Sequence, residues 1–155
     1  MEHLAEFFGK LHPIVLHFPL AMLVLGAVVE CVRLGRESPL LARASTWLFA
    51  LGAVFAVLAV GSGWLLAAHE QMRSDQQTTL EWHRWLGVAT TVVSGLAWVT
   101  SAQASKGGWA AARRLIAILS GVLAIGTGYF GGELVWGRDW FKPSESTPTN
   151  ETFSP

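Results

Sequence analysis

Leu115–Trp136 reads LIAILSGVLAIGTGYFGGELVW, and its first charged residue is Glu133. A helix crosses a bilayer with about 20 mostly apolar residues, whereas a barrel strand needs only about 10. Period-two alternation is absent from the run, so the reading is a membrane-spanning helix. Three runs of the same kind precede it. Residues 14–34 hold Glu30 as their only acidic residue, residues 40–68 are broken only by Arg43, and residues 85–104 carry no charge. The connections, 35–39, 69–84 and 105–114, are short enough to make sequential helices antiparallel. The expected fold is all-α, an integral membrane four-helix bundle with up-down topology. Residues 1–141 form this domain, and residues 142–155, rich in Ser, Thr and Pro, read as a flexible polar tail.

Composition agrees with that reading. Of 155 residues, 52% are hydrophobic and 14% charged, against roughly 25% charged in an average soluble domain. So apolar a chain is not disordered over its length. Cys31 is the single cysteine, which excludes a disulfide framework. The formal net charge of zero lacks the basic excess of a nucleic-acid partner.

Sorted by side, that zero acquires a direction. The first and third connections with their flanks hold Arg33, Arg36, Arg43, Lys106, Arg113 and Arg114 against Glu30 and Glu37, a balance of +4. The other side holds Lys10, Arg73, Arg84, Arg138 and Lys142 against nine acidic residues, a balance of −4. Basic residues close to helix ends mark the cytoplasmic side. Both termini and the second connection are therefore expected outside, in the periplasm of a bacterium, with the protein in the inner membrane. No basic n-region or small-residue cleavage site is visible, so the first helix is expected to insert as an anchor. Asn150-Glu151-Thr152 matches a glycosylation sequon, which is idle in a typical bacterium.

Tryptophans bracket the spans. Trp64, Trp82, Trp85, Trp136 and Trp140 fall near the outer ends, and Trp47 and Trp109 near the inner ones, as in an aromatic belt. Gly128 and Gly132 form a small-xxx-small pair that permits close helix approach. Glu30 and Arg33, three residues apart, are placed to pair on one helix face, with Cys31 beside them as a small packing residue. Ser62, Ser94 and Ser120 lack any triad context and read as packing hydroxyls.

All five histidines, His3, His12, His17, His69 and His83, fall on the outer side. His17 lies one turn inside the first helix, between Leu16 and Phe18, where an imidazole needs a partner or a ligand. Pro19 cannot donate to the carbonyl of Val15, so a kink or a freed acceptor is expected beside it. His12 is five residues earlier and points about 140° away on an ideal helix. His83 opens the third helix beside Arg84, whose planar fork suits a carboxylate or a propionate. Neutral imidazoles between helices suit haem iron, copper or zinc. A b-type haem takes two axial ligands from facing helices, and His17 with His83 is the simplest pair. His12 and His69 form a second tier. No histidine lies on the inner side, which excludes a two-haem transmembrane arrangement, and no C-x-x-C-H occurs for c-type attachment.

The stretch Leu11-His12-Pro13-Ile14-Val15-Leu16-His17-Phe18-Pro19-Leu20-Ala21 resembles the opening signature of the bacterial membrane proteins grouped as domain of unknown function 2231. His83-Arg84-Trp85-Leu86-Gly87 resembles the start of that family's third helix, and Gly128-Tyr129-Phe130-Gly131-Gly132-Glu133-Leu134 resembles its G-H-x-G-G-x-L near the chain end. The likeness spans roughly residues 9–141. Tyr129 departs from it, standing where the family often has His. A phenol there either ligates ferric haem or serves as a hydrogen-bonding group. The resemblance implies a four-helix membrane unit of a kind often found next to, or fused with, c-type cytochrome modules.

The expected function is thus a membrane-embedded electron-transfer subunit, and whether it also catalyses a reaction is left open. It would bind one b-type haem, or a quinol, near the periplasmic face through His17 and His83, with His12, His69, Arg84 and Tyr129 around it. One alternative is a cofactor-free structural subunit anchoring a periplasmic redox complex, respiratory or photosynthetic. The other is a copper or zinc site built from His12, His17, His69 and His83. The lipid bilayer is the partner in every version.

Overall fold

The computed structural model describes residues 2–36, 38–70, 73–103 and 109–137. Its elements are α1 (Glu2–Lys10), α2 (His12–Val15), α3 (His17–Gly35), α4 (Pro39–His69), a 3₁₀ turn (Ser74–Gln76), α5 (Gln77–Ala102) and α6 (Ala110–Trp136). Four helical segments are long and apolar enough to cross a membrane: Glu2–Gly35, Pro39–His69, Ser74–Ala102 and Ala110–Trp136. The polar tail, the sequon, Ala104, Lys106, Arg138 and Trp140 lie outside the described residues.

Local chemistry explains the breaks. Pro13 and Pro19 have no N–H to donate, and the first segment divides at Leu11 and Leu16 between its two neighbouring helical pieces. Pro39 opens α4 after an extended Ser38, where its missing donor costs nothing. Gly137, at φ 93°, ends α6 in a backbone conformation that other residues rarely adopt. Three helical stretches exceed the expected spans by a turn or more, α6 among them, which begins at Ala110. α1 precedes the apolar run and packs on α4. α5 begins inside the supposed second connection, and buried Thr79 and Leu80 fix that first turn against the bundle.

α3 packs on α4 and α6, and α5 packs on α4 and α6, closing a ring of four. Its interior is built from small side chains. Ala53, Ala56, Ala59, Ala97, Ala117, Ala124, Ser45, Ser94 and Ser120 are buried, while Val28, Val54, Leu58, Leu96, Leu119, Val122 and Ile125 point outward. Lipid tails are as apolar as leucine, so membrane helices gain by bringing backbones close and leaving large aliphatics outside. Leu23 and Phe49, the largest fully buried apolar side chains, sit in notches. A Cβ on Gly52 would meet Leu23 Cδ2 at 2.5 Å, and one on Gly26 would meet the Phe49 ring at 3.0 Å. Helices also approach closely at Gly121, whose Cβ would fall 2.5 Å from Ala27 Cβ; at Gly128 the contact with Leu20 is an ordinary 3.5 Å. Cys31 is exposed, not packed.

The buried positions repeat. In α3 they include Pro19, Leu23, Gly26 and Glu30, and in α5 Thr90, Ser94, Ala97 and Ser101, at a constant offset of 71 (Pro19 to Thr90). In α4 they include Ser45, Phe49, Gly52, Ala53 and Ala56, and in α6 Arg113, Ala117, Ser120, Gly121 and Ala124, at a constant offset of 68 (Ser45 to Arg113). The hairpins α3–α4 and α5–α6 thus present the same faces to one interior. Parallel repeats of this kind are related by an axis along the membrane normal.

Candidate functional site

Two of the five histidines enter the bundle, and they are equivalents under the repeat. His12 reaches α4 and His83 reaches α6. His12 Nδ1–H donates to Ala59 O at 2.9 Å, with Ser62 Oγ at 3.2 Å, and Ser62 Oγ donates to the same carbonyl at 3.1 Å. His83 Nδ1–H donates to Thr127 O at 3.0 Å. Ala59 and Thr127 are themselves related by the offset of 68 that relates Ser45 to Arg113. The two rings lie 6.1 Å apart between centroids, at 83° to each other.

A glycine seats each ring. A Cβ on Gly63 would stand 2.9 Å from His12 Cε1, and one on Gly131 would stand 3.1 Å from His83 Cε1. Each glycine lies four residues after the carbonyl that its histidine uses, on the same helix face. Without a side chain there, the imidazole can lie along the helix and reach a carbonyl already bonded within the helix. Thr127 and Thr90 line the next level. Their hydroxyl oxygens are 2.9 Å apart, and each bonds a carbonyl one turn back, Thr127 Oγ1 to Leu123 O and Thr90 Oγ1 to Leu86 O.

A carbonyl only accepts, so in each neutral ring Nδ1 carries the proton and Nε2 keeps its lone pair. An Nδ1–H bond to a backbone carbonyl is the usual arrangement of a metal-binding histidine, fixing its tautomer and its orientation. An imidazole Nε2 with a free lone pair is a donor of the kind that haem iron, copper and zinc take.

The remaining expected residues go elsewhere. His17 is exposed, and its Nδ1–H donates to Pro13 O of its own segment. His69 is exposed and bonded to Leu65 O at 2.8 Å, and His3 is exposed. The structure thus pairs His12 with His83 and leaves His17 outside the bundle. Among the described residues no group of three His, Cys, Asp or Glu side chains is placed to hold a metal together, so the four-histidine cluster does not form. Arg84 is half-buried next to His83, with its guanidinium carbon 6.0 Å from the Trp64 ring centre and a buried Nε that has no hydrogen-bond partner among the described residues. Tyr129 is exposed, its ring edge-on to Phe130 at 5.5 Å. Two residues from Gly131, it stands about 200° around the helix from His83's seat. Trp82 stacks on Phe130 at 6.4 Å.

Sequence reasoning gave His17 priority because of its depth in the apolar run. It missed Gly63, Gly131, Ala59 and Thr127, which make the seats. The signal that could have found them is the recurrence of one pattern, His at a hairpin's start and Gly near its end, in both halves of the chain.

No curated protein and no solved structure matches the chain. The family described as "Predicted membrane protein (DUF2231)" matches residues 10–139, from just before His12 to just beyond α6. A match over that much of its length makes the chain a member of the DUF2231 family of membrane proteins.

Proposed function

We propose that this protein is an electron-transfer subunit of the bacterial inner membrane in which His12 and His83 hold one b-type haem near the periplasmic face. The observation that carries this reading is the pair itself. Two equivalent imidazoles from different hairpins meet inside the bundle, each with Nδ1 held by a backbone carbonyl and Nε2 left as a donor. Two axial nitrogens are the full protein complement of such a haem, which when bound supplies a one-electron redox centre. Tetrahedral zinc would ask for three or four ligands. Arg84 suits a propionate, because its buried Nε lacks a partner among the described residues and its neighbour is His83. Ser62 and Thr127 keep the rings oriented. The charge asymmetry between the two ends directs the histidine end outward. There a periplasmic c-type cytochrome, or a larger membrane complex, could exchange electrons with it.

The second reading is a copper ion held by the same two rings, whose Nε2 lone pairs suit it. A reduced-minus-oxidised spectrum and metal analysis of protein purified after expression with haem supply tests both readings. Haem bands lost in His12→Ala and in His83→Ala, but kept in His17→Ala and His69→Ala, are expected. Copper at one equivalent without haem bands selects the second reading. Absence of haem and of metal overturns both. It would leave either a quinol held by the imidazoles or a structural anchor that co-purifies with a redox complex.

A further inference from the structure

At the inner end of the bundle a buried carboxylate is answered from within: Glu30 Oε1 accepts from Arg33 Nη1 and from Ser45 Oγ, each at 2.5 Å. His17, near the outer end, is not answered in this way. It is exposed on the outer face of α3, and its Nδ1–H donates to Pro13 O, one turn back. The neutral ring therefore keeps a lone pair on Nε2, and among the described residues no donor reaches it. Exposed aromatic side chains mark the edge of the bilayer at this end. Trp64 follows Gly63, the seat of His12, Trp82 and Trp85 flank His83, and Tyr129 stands two residues before Gly131, the seat of His83. His17 is five residues inward of His12, about 7 Å, with its ring turned back towards that edge. An imidazole nitrogen facing lipid there calls for a hydrogen-bond donor from outside the bundle.

The neighbouring helix narrows the choice of donor. The seam between α3 and α6 is closed by Leu20 over Gly128 and by Ala27 against Gly121. His17 stands about 60° around α3 from Leu20, and Tyr129 about 100° around α6 from Gly128. Both are exposed, so an imidazole and a phenol flank the seam from its two sides. Further inward, Ile125 and Val122 are exposed beside it. The seam thus suits an amphiphile with a flat, hydroxyl-bearing head and an apolar tail. Phosphate oxygens of a phospholipid only accept hydrogen bonds and do not suit Nε2. From this acceptor, its place at the bilayer edge and the phenol opposite, we propose that the outer end of the α3–α6 seam binds the head group of a hydroquinone. One O–H donates to His17 Nε2, the ring lies beside Tyr129, and the tail follows the seam past Ile125 and Val122. Preference for a hydroquinone among hydroxyl-bearing amphiphiles rests on the electron-transfer reading above: His12 is on the same segment, turned about 140° from His17, so the head group lies behind the paired rings. The hydrogen bond to His17 does not depend on that reading.

Titration calorimetry of the intact protein in phosphatidylcholine nanodiscs, under reductant, provides the test. The probes are a decyl-substituted benzohydroquinone and its dimethyl ether, which has no O–H. The hydroquinone is expected to bind at one equivalent and about tenfold more tightly than the ether, as for one hydrogen bond. His17→Phe should abolish that difference, and Tyr129→Leu should weaken both probes. Both side chains are exposed, so neither variant removes a core contact. Equal affinity for the two probes overturns the proposal, as does a preference for the hydroquinone that survives in His17→Phe. A change of oligomeric state in His17→Phe with hydroquinone binding unaltered would show that a second copy covers His17, which also overturns it. So would displacement of the hydroquinone by an equal amount of phosphatidylethanolamine, whose ammonium would then be the donor. Spectra of the same samples keep the two sites apart. Haem bands without hydroquinone binding overturn this site and leave the His12–His83 reading standing, whereas hydroquinone binding without haem bands supports this site and counts against the haem.

Discussion

The imidazoles of His12 and His83 depend on what two other residues lack. Gly63 and Gly131 carry no side chain, and a methyl group at either would intrude to 2.9 or 3.1 Å of a ring carbon. The ring is the movable partner, so Gly63→Ala should push His12 off Ala59 O without unfolding the bundle. The expected cost is one hydrogen bond, about 1 kcal/mol, read by denaturant unfolding in detergent, with a weaker effect in Gly131→Ala. A haem or copper signal, where present, should shift in both variants. At the other end Glu30→Gln removes the charge that Arg33 faces in a buried pair. Such a loss costs about 3–5 kcal/mol, whereas Ser45→Ala should cost about 1 kcal/mol. Equal losses for the two substitutions would show that the charge of Glu30 is not what holds Arg33. Glu30 and Arg33 were legible as a pair because three residues along a helix share a face. The choice of His12 over His17 was not. It depends on which side of a proline-broken segment meets α4, and depth along the axis carries no such information.

At the scale of elements, the spans could be read because about 20 apolar residues have few alternatives to crossing a bilayer. The ends could not, because polar helical turns such as Gln77–Glu81 look like a connection until Thr79 and Leu80 are seen packed. α1 is the clearest case. A Cβ on Gly9 would meet Leu66 N at 2.8 Å and Leu66 Cα at 2.9 Å, so α1 lies directly on the backbone of α4. The obstacle is backbone and cannot turn aside. Gly9→Val should detach α1, exposing the segment before Leu11 to limited proteolysis while the rest of the bundle stays protected. Helix approach at Gly121 is equally tight, and Gly121→Val should overpack the contact with Ala27. A loss of about 1–3 kcal/mol is expected, measured by unfolding in the same detergent.

For the molecule as a whole, the two hairpins bury the same register, and this places the histidine pair at one end of a shared interior and the arginine cluster at the other. An even number of crossings also puts both termini on one side. Reporter fusions after Pro155 should be active if the reporter requires the periplasm, and fusions within residues 104–108 inactive. The reverse pattern would invert the assignment of the two ends.

The amino-acid sequence alone determined that this chain is a membrane bundle of four helices, because hydropathy over a bilayer's thickness is a property of consecutive residues. It also determined the charge difference between the two ends, since that follows from which connections carry arginine. Only the tertiary structure decided which histidines meet, where the close contacts fall and that the halves repeat. Those depend on the rotational phase of each helix, which is set by small residues of neighbouring helices fitting together. Alanine, glycine and serine provide that fit without any distinctive pattern along the chain.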